Sequence, residues 1–480
     1  MEKKIKALLD LFQEINNIPR CSKKEERISN WLVDWAKENN LEAIRDDVEN
    51  VLIKVPATKG LEKNPTVIIQ GHMDMVCEKT PDSPHDFSKD AIENIIDGDW
   101  LHANKTTLGA DNGIALAFGL EIARDKEIAH PPLELLFTVD EETGLTGANA
   151  LKGDFLDGKI LLNFDSEDEG IFTVGCAGGR DTKINLPLEY ENISNSKKLY
   201  KLKISGLMGG HSGQDITAHR GNANKILARI LEAISEKYLL NIAYLEGGTA
   251  HNAIPRDSHA VITFDENDFK NIQKIVAKYE SIIKAEFSET EKDIKIAISE
   301  SNVKYEKIFT EKITENVINL ILALPHGIKD MSLEFNGLPE TSCNLAMLRI
   351  ENDKLSILSS QRSSKMTVRD SLTKEIESVA KLAGAEYKSD AGYSSWQPNL
   401  DSKLLAQCKK VYKKKFNKNA KIEVVHGGLE CGVIGAKYDG MDMISIGPTI
   451  ENPHSPQERM YIPSLIKFWD FVVELLKSFS

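Results

Sequence analysis

An imidazole and a carboxylate stand two residues apart in "QGHMDMV" (70–76), directly after the short apolar run "TVIIQ" (66–70). His72 and Asp74 are therefore expected just past the end of a buried strand. Two adjacent glutamates, Glu141 and Glu142, follow a second apolar run, "LELLFTV" (133–139). Asp165 closes "ILLNFD", and His454 follows "MDMISIG" in "NPHSPQE". Asp111 stands where an N-cap would open the helix "NGIALAFGLEIA". Nitrogen and oxygen donors without thiolates suit zinc at a catalytic centre, or manganese or cobalt. One zinc takes about three protein ligands. Five candidates with two acids to spare fit a pair of cations about 3.5–4 Å apart that share a carboxylate. Charge agrees: two divalent ions carry +4, Asp111, Glu142 and Asp165 supply −3, and a bridging hydroxide would bring the core to neutrality.

Asp74 follows His72 too closely to be an obvious further ligand, and is expected to accept the proton of the second ring nitrogen. Glu141 and Glu142 are costly neighbours without a cation. One is expected to bind metal while the other takes a proton from water, and sequence leaves open which does which.

The elements that must position these groups alternate over the first 180 residues. A helix is expected over 24–39, with Ile28, Trp31, Leu32 and Trp35 on one face, and another over 111–125. Strands are expected at 50–55, 66–70, 133–139 and 160–165. Helices alternating with fully apolar strands indicate an α/β sheet, mostly parallel and covered on both faces. From Asp111 to Glu141 is 30 residues and from Glu142 to Asp165 is 23, each about one crossover. Residues distant in sequence can then converge at the crevice beyond the strands' carboxyl ends. From about residue 186 the pattern becomes α+β, with two similar units of about 100 residues each, including strands at "MSLEF", "CNLAMLRIE" and "KLSILSSQRS". The α/β pattern returns near 398. The expected organisation is a discontinuous catalytic domain, 1–185 and 392–480, interrupted by an inserted domain, 186–391.

Composition narrows the function. Length alone suggests about three domains. A net charge of −13 argues against nucleic-acid and anionic-membrane partners and is compatible with binding cations. No apolar run approaches the roughly 18 residues of a membrane span, and "MEKKIKALLDLFQEI" reads as an amphipathic helix rather than a signal peptide. The lysines at 409–415 read as a solvated helix face. The six cysteines are scattered without a C-x-x-C pair, which argues against a thiolate zinc site and a disulfide framework and points to a reducing cytoplasm.

At these residues the chain resembles a known family. "GHMDMV", "LGADNGIA", "DEETGLTGA", "NFDSEDEG" and the "PHSP" around His454 are similar to motifs of the co-catalytic zinc peptidases. The most similar branch is aminoacyl-histidine dipeptidase (Xaa-His dipeptidase, peptidase D), whose further motifs "CAGGRD", "MGGHSG", "GTAHNAIPR", "SSQRSS" and "HGGLECGVI" match in the same order. The resemblance covers nearly the whole chain. It implies a zinc-peptidase-like fold with a lid inserted in the catalytic domain, and two zinc ions replaceable by cobalt or manganese. His72, Asp111 and Asp165 would hold one ion, and Asp111, Glu142 and His454 the other. Glu141 would be the general base and Asp74 the partner of His72. His211, Asn252 and Arg362 would come from the lid to bind substrate, with the backbone at Gly427 and Gly428. The implied activity is hydrolysis of short peptides, including Xaa-His dipeptides, by a hydroxide held between the zinc ions. A dipeptide substrate is the implied partner, and a homodimer is left open. A tripeptidase, carboxypeptidase or N-acyl amino acid deacylase of the same superfamily is the alternative. A non-catalytic metal- or peptide-binding relative is disfavoured by the intact Glu141. Apart from the resemblance, His211 and Asn252 read as turn residues, Arg362 as a surface arginine, and "GGR" (178–180) as a turn.

Overall fold

The computed structural model describes residues 2–194 and 197–479. The chain divides into two compact units: Met1–Cys176 with Trp396–Val424 and Leu429–Ser480, and Ala177–Ser395 with Val425–Gly428.

The first unit is built on an eight-stranded sheet. Its four middle strands, in the order Leu133–Thr138, Val67–His72, Ile160–Asn163 and Asp442–Ser445, are all parallel. Leu133–Thr138 and Val67–His72 are buried at every residue, as strands covered on both faces must be. The strands bordering these four run antiparallel to them. Glu42–Arg45 and Val51–Val55 form a hairpin beside Leu133–Thr138, and Ile171–Cys176 runs against Asp442–Ser445. The expected parallel sheet is thus the centre of a mixed one, because a connection as short as residues 46–50 can only reverse the chain. The helix Ala110–Arg124 is buried along most of its length. Its Phe118 ring packs against Phe164, Phe468 and Trp469 at centroid distances of 5.8, 4.8 and 5.4 Å, the last two residues belonging to the closing helix Ile462–Lys477.

The second unit carries a nine-stranded sheet whose pairings are all antiparallel. Helices Ala223–Ser235, Phe269–Glu286, Glu311–Ala323 and Met366–Leu382 accompany it. Leu227, Ile230, Leu231, Ile272, Val317, Leu320 and Ile376 from these helices share one core with Leu202, Ile204, Ile262, Leu345 and Ile357 of the sheet. The two expected α+β units are halves of this single sheet, joined where Gly247 pairs with Leu348. They are not consecutive, because Gly178–Pro187 precedes the first half and pairs with Lys354–Ser363 in the second.

Three local expectations are corrected. "GGR" is no turn but the start of the strand Gly178–Pro187. Glycine is needed there because a side chain at Gly179 would run into the Tyr393 ring. Of "MSLEF" only Met331 is in a strand, as the last residue of Gly327–Met331, and the chain turns after it. Ser332 Oγ accepts the N–H groups of Glu334 and Phe335, which offers the backbone an alternative to pairing. Cys21 and Cys77 form a disulfide, whereas the other four cysteines are free and buried. Their separation of 56 residues concealed that Cys21 pairs alongside Met75 in an isolated parallel bridge. Among the described residues no helix is long and apolar enough to cross a membrane.

Candidate active site

Parallel strands end on one side, and the polar groups gather there. His72 is the last residue of Val67–His72. Gly71 lacks a side chain where one would collide with Asn112 and Ala115, so the start of Ala110–Arg124 lies directly against this strand. Asn112 uses that proximity. Its Oδ1 accepts the N–H of His72 (3.1 Å) and its Nδ2 donates to the carbonyl of Phe164 (2.7 Å), which ties the segments bearing His72, Asp111 and Asp165. The Asp111–Asn112 peptide bond is cis.

Asp74 does two jobs. Its Oδ1 lies 3.2 Å from His72 Nδ1 and accepts the N–H of Glu141 (3.0 Å), while Oδ2 accepts that of Glu142 (3.3 Å). One buried carboxylate thereby orients an imidazole and caps the short helical turn Glu141–Gly144.

Three overlapping three-residue donor sets result: His72, Asp111 and Asp165; Asp111, Glu142 and His454; and His72, Glu141 and Glu142, each with ligand atoms within 4.8 Å of one another. His72 Nε2 lies 3.1 Å from Asp111 Oδ1 and 3.3 Å from Asp165 Oδ1. His454 Nε2 lies 3.0 Å from both Asp111 Oδ2 and Glu142 Oε2. Asp111 therefore faces the two sets it belongs to with different oxygens. With Asp74 at Nδ1 holding the ring proton, neutral His72 presents a lone pair at Nε2 toward two carboxylate oxygens. Acceptors facing acceptors at such distances require a proton or a cation between them. Glu142 Oε1 is buried without a hydrogen-bond partner. The donor set fits divalent cations.

The electrostatics carry the same tension. Burial lowers the His72 pKa, yet its bonds with Asp111, Asp165 and Asp74 prevail and hold it well above the ordinary value. Burial raises Glu141 well above the usual carboxylate range against the pull of His72, with Asp165 and Glu142 adding to the rise. Burial also raises Glu142 and Asp165. For Asp111 burial is overcome by the two imidazoles, and its pKa is lowered.

The other expected site residues lie together in the second unit. His211 pairs with Ala253 across a two-residue bridge, which brings it beside Asn252. The N–H of Gln214 donates to His211 Nδ1 (3.1 Å), so the neutral ring carries its proton on Nε2. Arg362 is buried, with Nη1 donating to Tyr393 Oη (2.7 Å) and Nη2 to Ser212 Oγ (3.4 Å). The Tyr393 ring also packs where a side chain on Gly428 would stand. His426, just before the two glycines, makes a 2.7 Å hydrogen bond between Nε2 and Ser342 Oγ. Burial, with Arg362 and His211 nearby, pushes its pKa down to about 3, so it stays neutral.

Residues 68–478 match the model of peptidase family M20/M25/M40. The chain belongs to that family. It is 40% identical over 470 residues, 98% of its length and 97% of the relative's, to the cytosol non-specific dipeptidase of Escherichia coli (strain K12). A crystal structure of aminoacylhistidine dipeptidase from Vibrio alginolyticus superposes with a TM-score of 0.83 at 38% identity, covering 98% of this chain and 96% of that one. Aminopeptidase PepT from Bacillus cereus shares the fold, with a TM-score of 0.57 at 18% identity over 99% and 98% of the two chains.

Around the centre of this M20-family chain stand groups that sequence reasoning missed. Glu430 accepts from Thr138 Oγ1 (2.7 Å) and from Gln70 Nε2, and burial pushes its pKa up to about 7. Burial, with Asp111 nearby, pushes Glu167 up to about 9. Glu25 and Asp140 crowd Asp74 in a further acidic cluster, where each also accepts hydrogen bonds. Glu25 accepts the N–H groups of Lys23 (2.8 Å) and Asp140 (3.0 Å), and Asp140 accepts from Thr143 and Thr146. Glu458 and Arg20 hold backbone, as described below. The only signal was position: Glu167, Glu430 and Glu458 lie in the motifs "DSEDEG", "HGGLECGVI" and "PHSPQE".

Proposed function

We propose that this M20-family metallo-dipeptidase cleaves short peptides, Xaa-His dipeptides among them, at a pair of zinc ions, for which cobalt or manganese can substitute. The observation that carries the reading is the pair of donor sets sharing Asp111 through its two oxygens. His72, Asp111 and Asp165 would hold one cation, and Asp111, Glu142 and His454 the other. Bound there, the cations would make a water acidic near neutral pH and polarise the scissile carbonyl. Glu141 stands outside both sets that share Asp111, grouping instead with His72 and Glu142, and burial raises its proton affinity. It takes the proton of the attacking water and returns one to the departing amine. Asp74 keeps His72 in the tautomer that ligates through Nε2. In the second unit, Arg362 offers its fork to the substrate's carboxylate, alongside Asn252 and the backbone at Gly428. His211, protonated on Nε2, suits the oxyanion of the tetrahedral intermediate.

Hydrolysis of dipeptides, tripeptides and acyl amino acids by wild type and Glu141→Gln tests the reading. Dipeptides should be preferred, and the variant should keep its metal and lose turnover by at least the 10²-fold typical of a lost general base. Turnover unchanged by Glu141→Gln would remove Glu141 from this role, and preference for acyl amino acids would favour the deacylase alternative. We also infer a cytoplasmic location, supported by four free buried cysteines and by the E. coli relative's description as a cytosol enzyme.

A further inference from the structure

Glu458 lies four residues after His454 and is 2% exposed. Its carboxylate accepts four consecutive backbone N–H groups. Oε2 takes those of Leu108 (2.8 Å) and Gly109 (2.9 Å), and Oε1 those of Ala110 (2.8 Å) and Asp111 (3.2 Å). These are the donors of the turn that leads into Ala110–Arg124, whose backbone is still non-helical at Asp111 and Asn112. An ordinary cap comes from the residue just before the helix. Here the position is Gly109, with a left-handed backbone (φ 72°) and no side chain, and the carboxylate arrives from 347 residues away in sequence. It comes from the loop that supplies His454.

Arg20 grips the same turn from the other side. Its guanidinium is buried and donates to the carbonyl of Gly109 (2.6 Å) and to those of Met73 and Asp74 (3.2 Å each). The segment carrying Asp111 is thus fastened twice, once to the segment after His72 and once to the loop of His454. The first fastening has help from Asn112, whereas among the described hydrogen bonds only Glu458 ties the 108–111 backbone to the 454–458 loop.

We propose that Glu458 is a positioning residue that fixes the spacing of Asp111 and His454, and so sets the affinity of the cation that Asp111, Glu142 and His454 hold. It touches neither cation nor substrate and acts through backbone alone. The inference rests on the two-cation reading above. In Glu458→Gln the amide NH₂ must face N–H groups that now have an acceptor, so bonds are lost and donors oppose one another. The loop of His454 is then held less closely, while the His72 set keeps Asn112 and Asp74.

Glu134 supplies a matched control. It is buried and accepts the N–H groups of Asp157 (3.0 Å) and Gly158 (2.9 Å), but it stands near the start of the strand whose far end leads to Glu141. The experiment titrates the metal-free full chain with Zn²⁺ by calorimetry and records Tm, for wild type, Glu458→Gln, Glu458→Asp and Glu134→Gln. Wild type should take up two ions. Glu458→Gln should bind one as wild type does and the other 10–100-fold more weakly, the usual cost of losing an outer partner. Glu134→Gln should lower Tm and leave both affinities alone. If Glu458→Gln does not fold, Glu458→Asp decides, because it keeps the charge but shortens the reach and should weaken the same ion selectively. Two wild-type affinities in the folded Glu458 variants, or equal weakening of both ions in Glu458 and Glu134 variants alike, would overturn the proposal. A wild-type chain that takes up fewer than two ions would instead remove the reading beneath it.

Discussion

Replacing Asp74 with asparagine tests how the centre is held, because the change keeps the shape and removes the charge. Asp74 is fully buried and accepts from His72 Nδ1 at 3.2 Å, the Glu141 N–H at 3.0 Å, the Glu142 N–H at 3.3 Å and the Ser22 side chain. Burial works against its ionisation, but the bonds with His72 and the Glu141 N–H prevail and hold its pKa below the ordinary 3.8. It is therefore a fixed negative charge at neutral pH. An amide cannot replace it in either orientation. Its NH₂ faces the Glu142 N–H in one and both His72 Nδ1–H and the Glu141 N–H in the other. The cheaper orientation still sacrifices one hydrogen bond to a charged group, about 1.5–3 kcal/mol. At about 1.4 kcal/mol per tenfold that is a loss of roughly 10–150-fold, in line with the 10–100-fold expected of an outer partner to a ligating histidine. The assay is kcat/KM on a dipeptide across a Zn²⁺ titration, with calorimetric binding in parallel. Values of affinity and kcat/KM both within twofold of wild type would refute the claim that the Asp74 carboxylate holds the centre together.

Chelation should destabilise the protein more as pH rises. Burial raises the folded-state pKa values of Glu141, Glu142 and Asp165 above their ordinary values. Their contribution to the metal-free protein is thus favourable below the unfolded values and lost as pH climbs through the folded ones, where cations bind best. The Tm difference with and without EDTA should be larger at pH 8 than at pH 5.5, and an equal difference would contradict the account. Arg362→Lys keeps the charge but loses the fork, so KM for dipeptides should rise about tenfold or more, equivalent to about 1.4 kcal/mol, with a smaller effect on kcat; an unchanged KM would remove Arg362 from carboxylate binding. Mass analysis of the denatured chain, prepared under alkylating conditions from cytoplasm, should count six alkylated cysteines if that compartment keeps Cys21 and Cys77 reduced. A count of four would show the disulfide formed in the cell and weaken the cytoplasmic reading.

The convergence of His72, Glu141, Asp165 and His454 was legible because each follows an apolar run with the signature of a buried strand, and parallel strands end on the same side. Asp111 was legible as lying at the opening of an apolar helix, although the cap position is Gly109 and not Asp111. What surrounds them was not. Asn112, Glu430, Glu458 and Arg20 act through partners 40 or more residues away, and no periodicity marks an isolated polar residue in a loop. Asp74 was read correctly as lying beside His72, but its hold on the Glu141–Gly144 turn needed coordinates. Glycines misled where local grammar was opposed by packing: Gly178 and Gly179 read as a turn yet form a strand under Tyr393. The cystine misled for a related reason, since sequence separation carries no information about two loops brought together by the fold.

Metal stoichiometry tests the central claim most directly. Elemental analysis of the active protein, reconstituted with Zn²⁺ and freed of excess, should find two ions per chain in the wild type and a deficit of one in His454→Ala, whose loss touches only one donor set. One ion per fully active wild-type chain, or two retained tightly without His454, would contradict a centre organised around a shared Asp111.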